Sequence, residues 1–593
     1  MGRIGSSQPR GFLVSDRLAC RSVRRGAAAR VGLGAALLLV DAFAAGAAAA
    51  QSPSVAQLPG GALPGAIEPG RDRPIPAPSE QPQFEFEIPS PRRGPVPRAV
   101  DEITFDVSEI KVVGSSIFPP EAFKPITDPL IGKSVRLSDV LDAADKIEAM
   151  YRAAGYVLTR AFVPPQTVGN GVFQITVVEG YVKGTSVSGG DESTRERVES
   201  YIAPVTETKP ARLDTLERAL LLANQLPGTS ASGLLRPSPT ESGASDLVVN
   251  VAQEPWVASI YTDNRGAAAT GVWTLGGQFA VNSLFGDGGQ FVFDASGTPD
   301  FSERNLFQAR YTLPVGNDGL QLSMSGVLSH GQPGGLGGAV VSDSNALGGR
   351  ASYPILTSRP LSLSVEGGLT TQSAEVNTIG VPFTSDRWRV VDVAATVRQR
   401  GFLDSTSAAT LGIAQGLPGL GATSFTPSMS NMGSPGFTKM TAVVTHDQPL
   451  FQSTFGPLSY SLRAIAQYGF ERLVIGEQIS FGGATIGRGY DPATLAGDIG
   501  LGGAQELRYD LRFPKYYVDQ AQLYAFFDAA RIWTREGEFV PVQSLASIGF
   551  GVRVSLLERL TSGIEFAHTL KGVPTNDNGN TGSRILFNAA VRF

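Results

Sequence analysis

From Trp256 to Phe593 this chain alternates apolar and polar side chains, segment after segment. Phe307, Ala309, Tyr311 and Leu313 oppose Gln308, Arg310 and Thr312; Leu320, Leu322 and Met324 oppose Gln321, Ser323 and Ser325. Leu361, Leu363 and Val365 oppose Ser362, Ser364 and Glu366, and Ile548, Phe550, Val552 and Val554 oppose Ser547, Gly549, Gly551 and Arg553. A period of two means strands with one apolar and one polar face. The polar face is charged in places: Glu506, Arg508, Asp510 and Arg512 alternate with Leu507, Tyr509, Leu511 and Phe513. The inner wall of a membrane β-barrel can hold such residues, whereas the core of a soluble sandwich hardly can. Spanning strands need about 9–11 residues plus turns, so the stretch accommodates roughly fourteen to eighteen of them. A secreted sandwich or propeller is the competing fold, but its outer face would carry more Lys and Glu. Charged residues are 17% of the chain, against roughly 25% in soluble domains.

The N-terminus has the order of a secretory signal. Arg17, Arg21, Arg24, Arg25 and Arg30 precede an apolar core from Val31 to Val40 and a small-residue run ending Ala48-Ala49-Ala50-Gln51. Cleavage is expected after Ala50. A transmembrane helix is the competing reading, but Asp41 interrupts the run and Ala and Gly dominate its second half. Removal of residues 1–50 takes away seven Arg, two Asp and Cys20, the single cysteine, and moves the formal charge from −5 to −10. The expected mature chain therefore has no disulfide and no thiolate chemistry. No later run reaches the roughly 18 apolar residues of a membrane helix, and no basic excess points to nucleic acid.

Residues 51–100 are rich in proline, from Pro53 to Pro97. Proline lacks an amide donor and favours extended backbone, so this reads as a linker. Helical spacing begins beyond it. Ser138 is placed as an N-cap ahead of Val140, Leu141, Ala144, Ile147, Met150 and Tyr151, with Gly155 as the stop and strand-like runs over Tyr156–Val163 and Val172–Val178. A second unit repeats the theme: Ser193 and Glu196 have capping-box spacing, Asp214 and Glu217 open a helix, and Leu247, Val249 and Val251 alternate. Two small α+β domains in tandem, over 101–182 and 183–254, are the expected arrangement, with one larger domain as the alternative. The barrel then occupies 255–593.

One loop stands apart. Ile486-Gly487-Arg488-Gly489-Tyr490 lies between a strand containing Leu458–Gln467 and one containing Glu506–Phe513. A cationic tip beside inward carboxylates points to a loop folded back into a lumen. At the other end of the stretch, Ile585, Phe587, Ala589, Val591 and Phe593 share one face of the last strand, which must pair with the first, since a barrel has no free edge. An aromatic end to that strand suits recognition by the outer-membrane assembly machinery.

Taken together these features resemble the two-partner secretion transporters of the haemolysin secretion/activation type, members of the superfamily of barrel-assembly insertases. The resemblance covers nearly all of the mature chain. Its most specific carriers are Arg488-Gly489-Tyr490 and the downstream Phe526-Phe527-Asp528-Ala529-Ala530; Val177-Val178-Glu179-Gly180-Tyr181-Val182 is similar to the family's link between two polypeptide-transport-associated (POTRA) domains. The resemblance implies a sixteen-strand barrel, with Arg488 at the tip of the sixth extracellular loop and Asp528 as its partner, Glu506 being a second acceptor. A guanidinium fork suits carboxylates. Two positions depart from the family: Ala530 stands where Gly is usual, and the prolines after Gln51 argue against the N-terminal plug helix that many members carry.

The function so implied is export of a large unfolded partner, haemolysin- or adhesin-like, from periplasm to cell surface. The POTRA units would capture it by strand addition, and the barrel would be its conduit. Phe587, Val591 and Phe593 would form the assembly signal, outer-membrane lipid would surround the barrel, and no cofactor is implied. An insertase for other barrels and a passive or gated porin remain as alternatives, the second leaving the α+β units without a role. An enzyme is not expected. His330, His446 and His568 are far apart, no Gly-x-Ser-x-Gly elbow occurs, and His446-Asp447 reads as a strand-end pair.

Overall fold

The computed structural model describes residues 86–87, 104–168, 170–333, 340–425, 433–513, 518–535, 542–573 and 581–593. The expected signal segment with Cys20, the place of any plug helix and all of the Pro-rich segment except residues 86–87 lie outside the described residues.

The short strand β1 (Phe86–Glu87) is followed by β2 (Thr104–Val107), β3 (Glu109–Val113), β4 (Lys133–Arg136), β5 (Arg160–Phe162) and β6 (Val172–Val178). β3 and β6 run parallel, β5 joins β6 antiparallel, and β2 and β4 form a separate ribbon. Across this sheet lies the helix Leu137–Ala153. Val140, Ala143, Ala144, Ile147 and Tyr151 recur at three- and four-residue spacing and are all buried. The expected N-cap at Ser138 is corrected. Helical geometry starts after Arg136, whose backbone N–H donates to Asp139 Oδ2 at 3.0 Å, so Ser138 lies inside the first turn.

A second sheet comprises β1, β7 (Tyr181–Gly189), β8 (Thr229–Pro237) and β9 (Ala244–Gln253), in the order β1-β8-β9-β7. Helices Glu192–Ile202 and Leu213–Ala223 cover it. The expected capping box at Ser193 is also corrected: Asp191 is the cap, accepting the Thr194 N–H at 2.7 Å, and the Ser193 hydroxyl donates to Asp191 Oδ1. Asp and Ser both cap well, and here the carboxylate two residues earlier takes the amide. Each sheet has its own apolar core.

The link between the units falls at Glu179-Gly180, because β7 is continuous from Tyr181 and belongs to the second sheet. The expected boundary at 182/183 would cut this strand. Glu179 accepts the amides of Ser116 (2.8 Å) and Ile117 (3.1 Å), the Ser116 hydroxyl, and Tyr151 Oη at 2.8 Å. Burial raises its carboxyl, but these donors outweigh that and hold it below the ordinary glutamate range. At Gly180 a Cβ would lie 2.4 Å from the Leu158 carbonyl oxygen, so no larger residue fits the crossing.

Only Glu254 and Pro255 separate β9 from the barrel. Its strands are β10 (Trp256–Asp263), β11 (Thr274–Asn282), β12 (Gln290–Gly297), β13 (Arg304–Val315), β14 (Leu320–Gly331) and β15 (Val340–Thr357). The wall continues with β16 (Leu361–Thr378), β17 (Val381–Arg400), β18 (Thr406–Gly416), the short β19 (Thr423–Phe425) alongside β17, β20 (Thr438–Gln452) and β21 (Pro457–Gly469). After a loop holding the small hairpin β22 (Ile479–Phe481) and β23 (Leu495–Gly497) come β24 (Ile499–Arg512), β25 (Val518–Trp533), β26 (Gln543–Leu556), β27 (Leu560–Thr569) and β28 (Ser583–Arg592). With β19, β22 and β23 set aside, sixteen antiparallel strands close the ring. β28 pairs with β10 through Ser259↔Arg592 to Asp263↔Asn588.

The outer wall is apolar: Met324, Leu328, Leu411, Phe550 and Ile585 are all exposed. Each would disfavour water by about 1.5–3 kcal/mol, which hydrocarbon relieves. Glu506, Asp528 and Glu565, on other strands of the same wall, are buried inside. The second α+β unit sits at the short-turn end, where Arg197 Nη1 donates to the Gly316 carbonyl (2.7 Å), Arg218 Nη2 to that of Asp318 (3.1 Å), and the Ser193 and Ser283 hydroxyls meet at 2.6 Å.

Candidate functional site: a loop seated in the lumen

The segment between β21 and β24 enters the barrel from the end opposite the α+β units. Gly487, at φ +91°, takes left-handed backbone that favours glycine, and the Tyr490 N–H closes the turn on the Gly487 carbonyl at 2.9 Å. At Gly489 a Cβ would come within 2.8 Å of Thr569 Cγ2 and 3.2 Å of Ser547 Cβ. Glycines on both sides thus let Arg488 reach the wall. Tyr490 is fully buried, its hydroxyl lying 2.6 Å from the Lys571 carbonyl and 2.9 Å from that of Ala546.

Arg488 is 4% exposed. Its Nε and Nη2 grip Asp528 as a fork, at 2.9 Å to Oδ2 and 2.7 Å to Oδ1. Nη1 donates to Glu506 Oε1 at 2.5 Å and to Glu565 Oε2 at 3.3 Å. The guanidinium lies 3.5 Å above the centre of the Phe526 ring, a desolvated cation–π contact. Asp528, with no solvent exposure, also accepts the backbone N–H groups of Gly487 and Arg488 at 3.1 Å each, and the Ser547 hydroxyl at 3.4 Å. Buried charges cost several kcal/mol each to desolvate, and this density of charge-assisted bonds offsets the cost.

Further charges frame this centre. Glu506 takes Arg508 Nε at 2.7 Å and both Nη atoms of Arg553 at 3.0 and 3.1 Å. Arg553 stacks on the Tyr524 ring at 3.7 Å, Tyr524 Oη donates to Glu565 Oε2 at 2.8 Å, and Arg265 Nη1 faces Glu565 Oε1 at 3.4 Å. β24, β25, β26 and β27 therefore supply one continuous network, into which the loop inserts a single cation.

The structure brings together Arg488, Gly489, Tyr490, Asp528 and Glu506. Glu565, Tyr524 and Arg553 were not among the expected residues, and Phe526 was expected only as part of the motif without a role, although Phe526 and Tyr524 share the parity of Asp528 along β25 and must face the same way. Phe587, Val591 and Phe593 lie on β28 and its end: Val591 pairs with Ile260, Phe593 exchanges backbone bonds with Ala258, and the Phe587 ring lies 6.2 Å from Trp273. His446 and Asp447 form no pair. As neighbours along β20 they face opposite sides, His446 Nδ1 meeting the Ser407 hydroxyl at 2.8 Å and Asp447 meeting Arg508 at 3.2 Å.

Comparison with known proteins accords with this architecture. The chain is 23% identical over 430 residues to the outer membrane transporter CdiB of Escherichia coli, covering 72% of each. It is 28% identical over 182 residues to the heme/hemopexin transporter protein HuxB of Haemophilus influenzae, covering 30% of this chain and 32% of that one. Among solved structures, CdiB from Escherichia coli superposes with a TM-score of 0.67 at 20% identity, covering 88% of this chain and 94% of that one. CdiB from Acinetobacter baumannii gives 0.60 at 16%, covering 95% and 98%. The model of the ShlB-type POTRA domain matches residues 105–180. Because residues 243–554, more than half of the chain, match the model described as haemolysin secretion/activation protein ShlB/FhaC/HecB, the chain belongs to that family.

Proposed function

We propose that this protein sits in the bacterial outer membrane, with its α+β units in the periplasm, and exports a large, unfolded secreted partner to the cell surface. Membership of the haemolysin secretion/activation family and likeness to the CdiB and HuxB transporters support this reading. The observation that carries it is the near-continuity of β9 and β10, which holds the second α+β sheet at the mouth of a closed barrel. On the outer edge of β8, Gly233 and Leu234 pair with β1, and among the described residues no other strand pairs with that edge, which suits strand addition by an incoming chain. Lipid covers the apolar outer wall, and the assembly machinery reads the strand ending at Phe593. Catalysis has no part in this account, in keeping with relatives named as transporters.

Within this function, the Arg488 loop acts as a lumen lock. Seated on Asp528 and Glu506 it stabilises the one state of the lumen from which export starts, so loss of the seat loses export, and passage of the partner then requires the loop to move. The test is co-production with the large secreted protein encoded beside this one. Export reads as that protein reaching the medium only when this chain is present. A partner that leaves the cell equally well without it contradicts export, and loss of other barrels from the membrane in its absence favours an insertase.

A further inference from the structure

A second buried charge on the same loop binds a different set of wall residues and has no part in that network. We propose that Glu477 is a second mooring of the lumen loop, opposite in sign to the first, which positions the loop's entering limb against the adjoining arc of the barrel wall.

Glu477 ends the short turn Ile475–Glu477 and is buried. Its Oε1 accepts Trp388 Nε1 at 2.7 Å and Gln372 Nε2 at 3.3 Å, and its Oε2 lies 2.6 Å from Lys439 Nζ. Its backbone carbonyl accepts from Lys439 Nζ and Gln467 Nε2, at 3.0 Å each. These partners stand on β16, β17, β20 and β21. Next to it, a Cβ on Gly476 would meet the Trp388 ring at 2.6 Å, so the turn can lie flat on the indole only with glycine there. Leu473 and Val474, earlier in the limb, complete an apolar cluster with Trp388, Val390 and Phe437.

The partners of Glu477 occupy the seventh, eighth, tenth and eleventh strands of the ring, and the carboxylates that hold Arg488 the twelfth, thirteenth and fifteenth. The two cradles therefore occupy separate, adjoining arcs of the wall with no strand in common. The loop is a strap fixed at two arcs: a carboxylate on a cationic and indole cradle at one, a guanidinium on an acidic cradle at the other. A carboxylate removed from water survives there only with its cation and donors in place, so the cradle specifies one seat for the limb. Release of Arg488 alone leaves the strap tied at Glu477, and clearing the lumen requires both moorings to let go.

The inference rests on where the loop lies, and its test needs no exported partner, so its failure is separable from failure of the export reading. Full-length protein refolded in detergent is compared with Glu477→Ala, Glu477→Gln and Lys439→Gln by backbone hydrogen exchange and planar-bilayer conductance, with heat-modifiability reporting the folded barrel. The expected result in Glu477→Ala and Lys439→Gln is exchange at least tenfold faster over residues 473–481, smaller changes over 486–490, and more frequent wide openings. Glu477→Gln, which keeps an acceptor for Trp388, should fall between. Recombining the charges as Glu477→Lys with Lys439→Glu should restore part of the protection, which a merely volumetric role would not. Wild-type exchange over 473–481 in the variants that assemble overturns the proposal. So does failure of all three to assemble, which would make Glu477 a determinant of barrel folding.

Discussion

Replacing Arg488 with alanine removes the fork on Asp528 and the cation from above Phe526 in one step. The damage is unequal among the three carboxylates. Glu506 keeps Arg508 and Arg553, and Glu565 keeps the Tyr524 hydroxyl and faces Arg265. Asp528 keeps only two backbone amides and a long contact to Ser547, in a place without solvent. Breaking a buried pair from one side typically costs about 3–5 kcal/mol, and that range is expected for Arg488→Ala. Asp528→Ala should cost less, because Arg488 retains Glu506, Glu565 and the Phe526 ring. The double variant should recover much of the loss, with a coupling of about 2–3 kcal/mol, the upper end for residues in one network. Guanidinium titration of the detergent-refolded barrel, followed by tryptophan fluorescence, measures all four corners of the cycle. Single-variant losses that add to within about 0.5 kcal/mol would refute the reasoning, since additivity at 2.7 Å means that the pair is not coupled.

Other expectations are more local. Gly489→Ala should force the loop off Thr569 and Ser547 at an overpacking cost of about 1–3 kcal/mol, read as faster proteolysis of residues 482–490 in folded barrels. Tyr490→Phe should cost only about 1 kcal/mol in the same titration, because the Ala546 carbonyl keeps the Leu570 amide. In the first α+β unit, the folded-state Glu179 carboxyl lies below its unfolded value of about 4.3. Its contribution is present above that pH and is lost as pH falls through the folded value. Exchange at Ser116 and Ile117, corrected for intrinsic rates, should therefore accelerate under acid, and Glu179→Gln should remove the acid dependence. The Asp191 cap, held down to about 2 by the Thr194 amide and by hydroxyl donors against the opposing effect of burial, should keep its helix to lower pH.

Much of the architecture can be read from alternation alone. Parity along a strand decides which side chains face the lumen, and Glu506, Asp528, Phe526 and Glu565 all follow from it. What parity cannot supply is the stagger between strands. Whether Glu565 lies level with Arg488 depends on the pairings of β25, β26 and β27, which the turns and bulges set. Arg488-Gly489-Tyr490 stands out because two glycines flank a cation, but its depth in the lumen depends on contacts with Thr569 and Ser547, residues 80 and 58 positions later in sequence. Glu477 carries no local signal, since a lone glutamate in a loop is ordinarily solvated. The helix starts at Arg136 and Asp191 were displaced by two residues from the expected caps because neighbouring side chains compete for the same amides, and tertiary packing chooses between them.

The most direct test of the account is secretion of the partner in cells carrying Arg488→Ala, with barrel level and heat-modifiability measured alongside. The account predicts that secretion is lost while a folded barrel persists, and that Asp528→Ala behaves alike. Undiminished secretion through a folded Arg488→Ala barrel would contradict the claim that this loop governs the lumen.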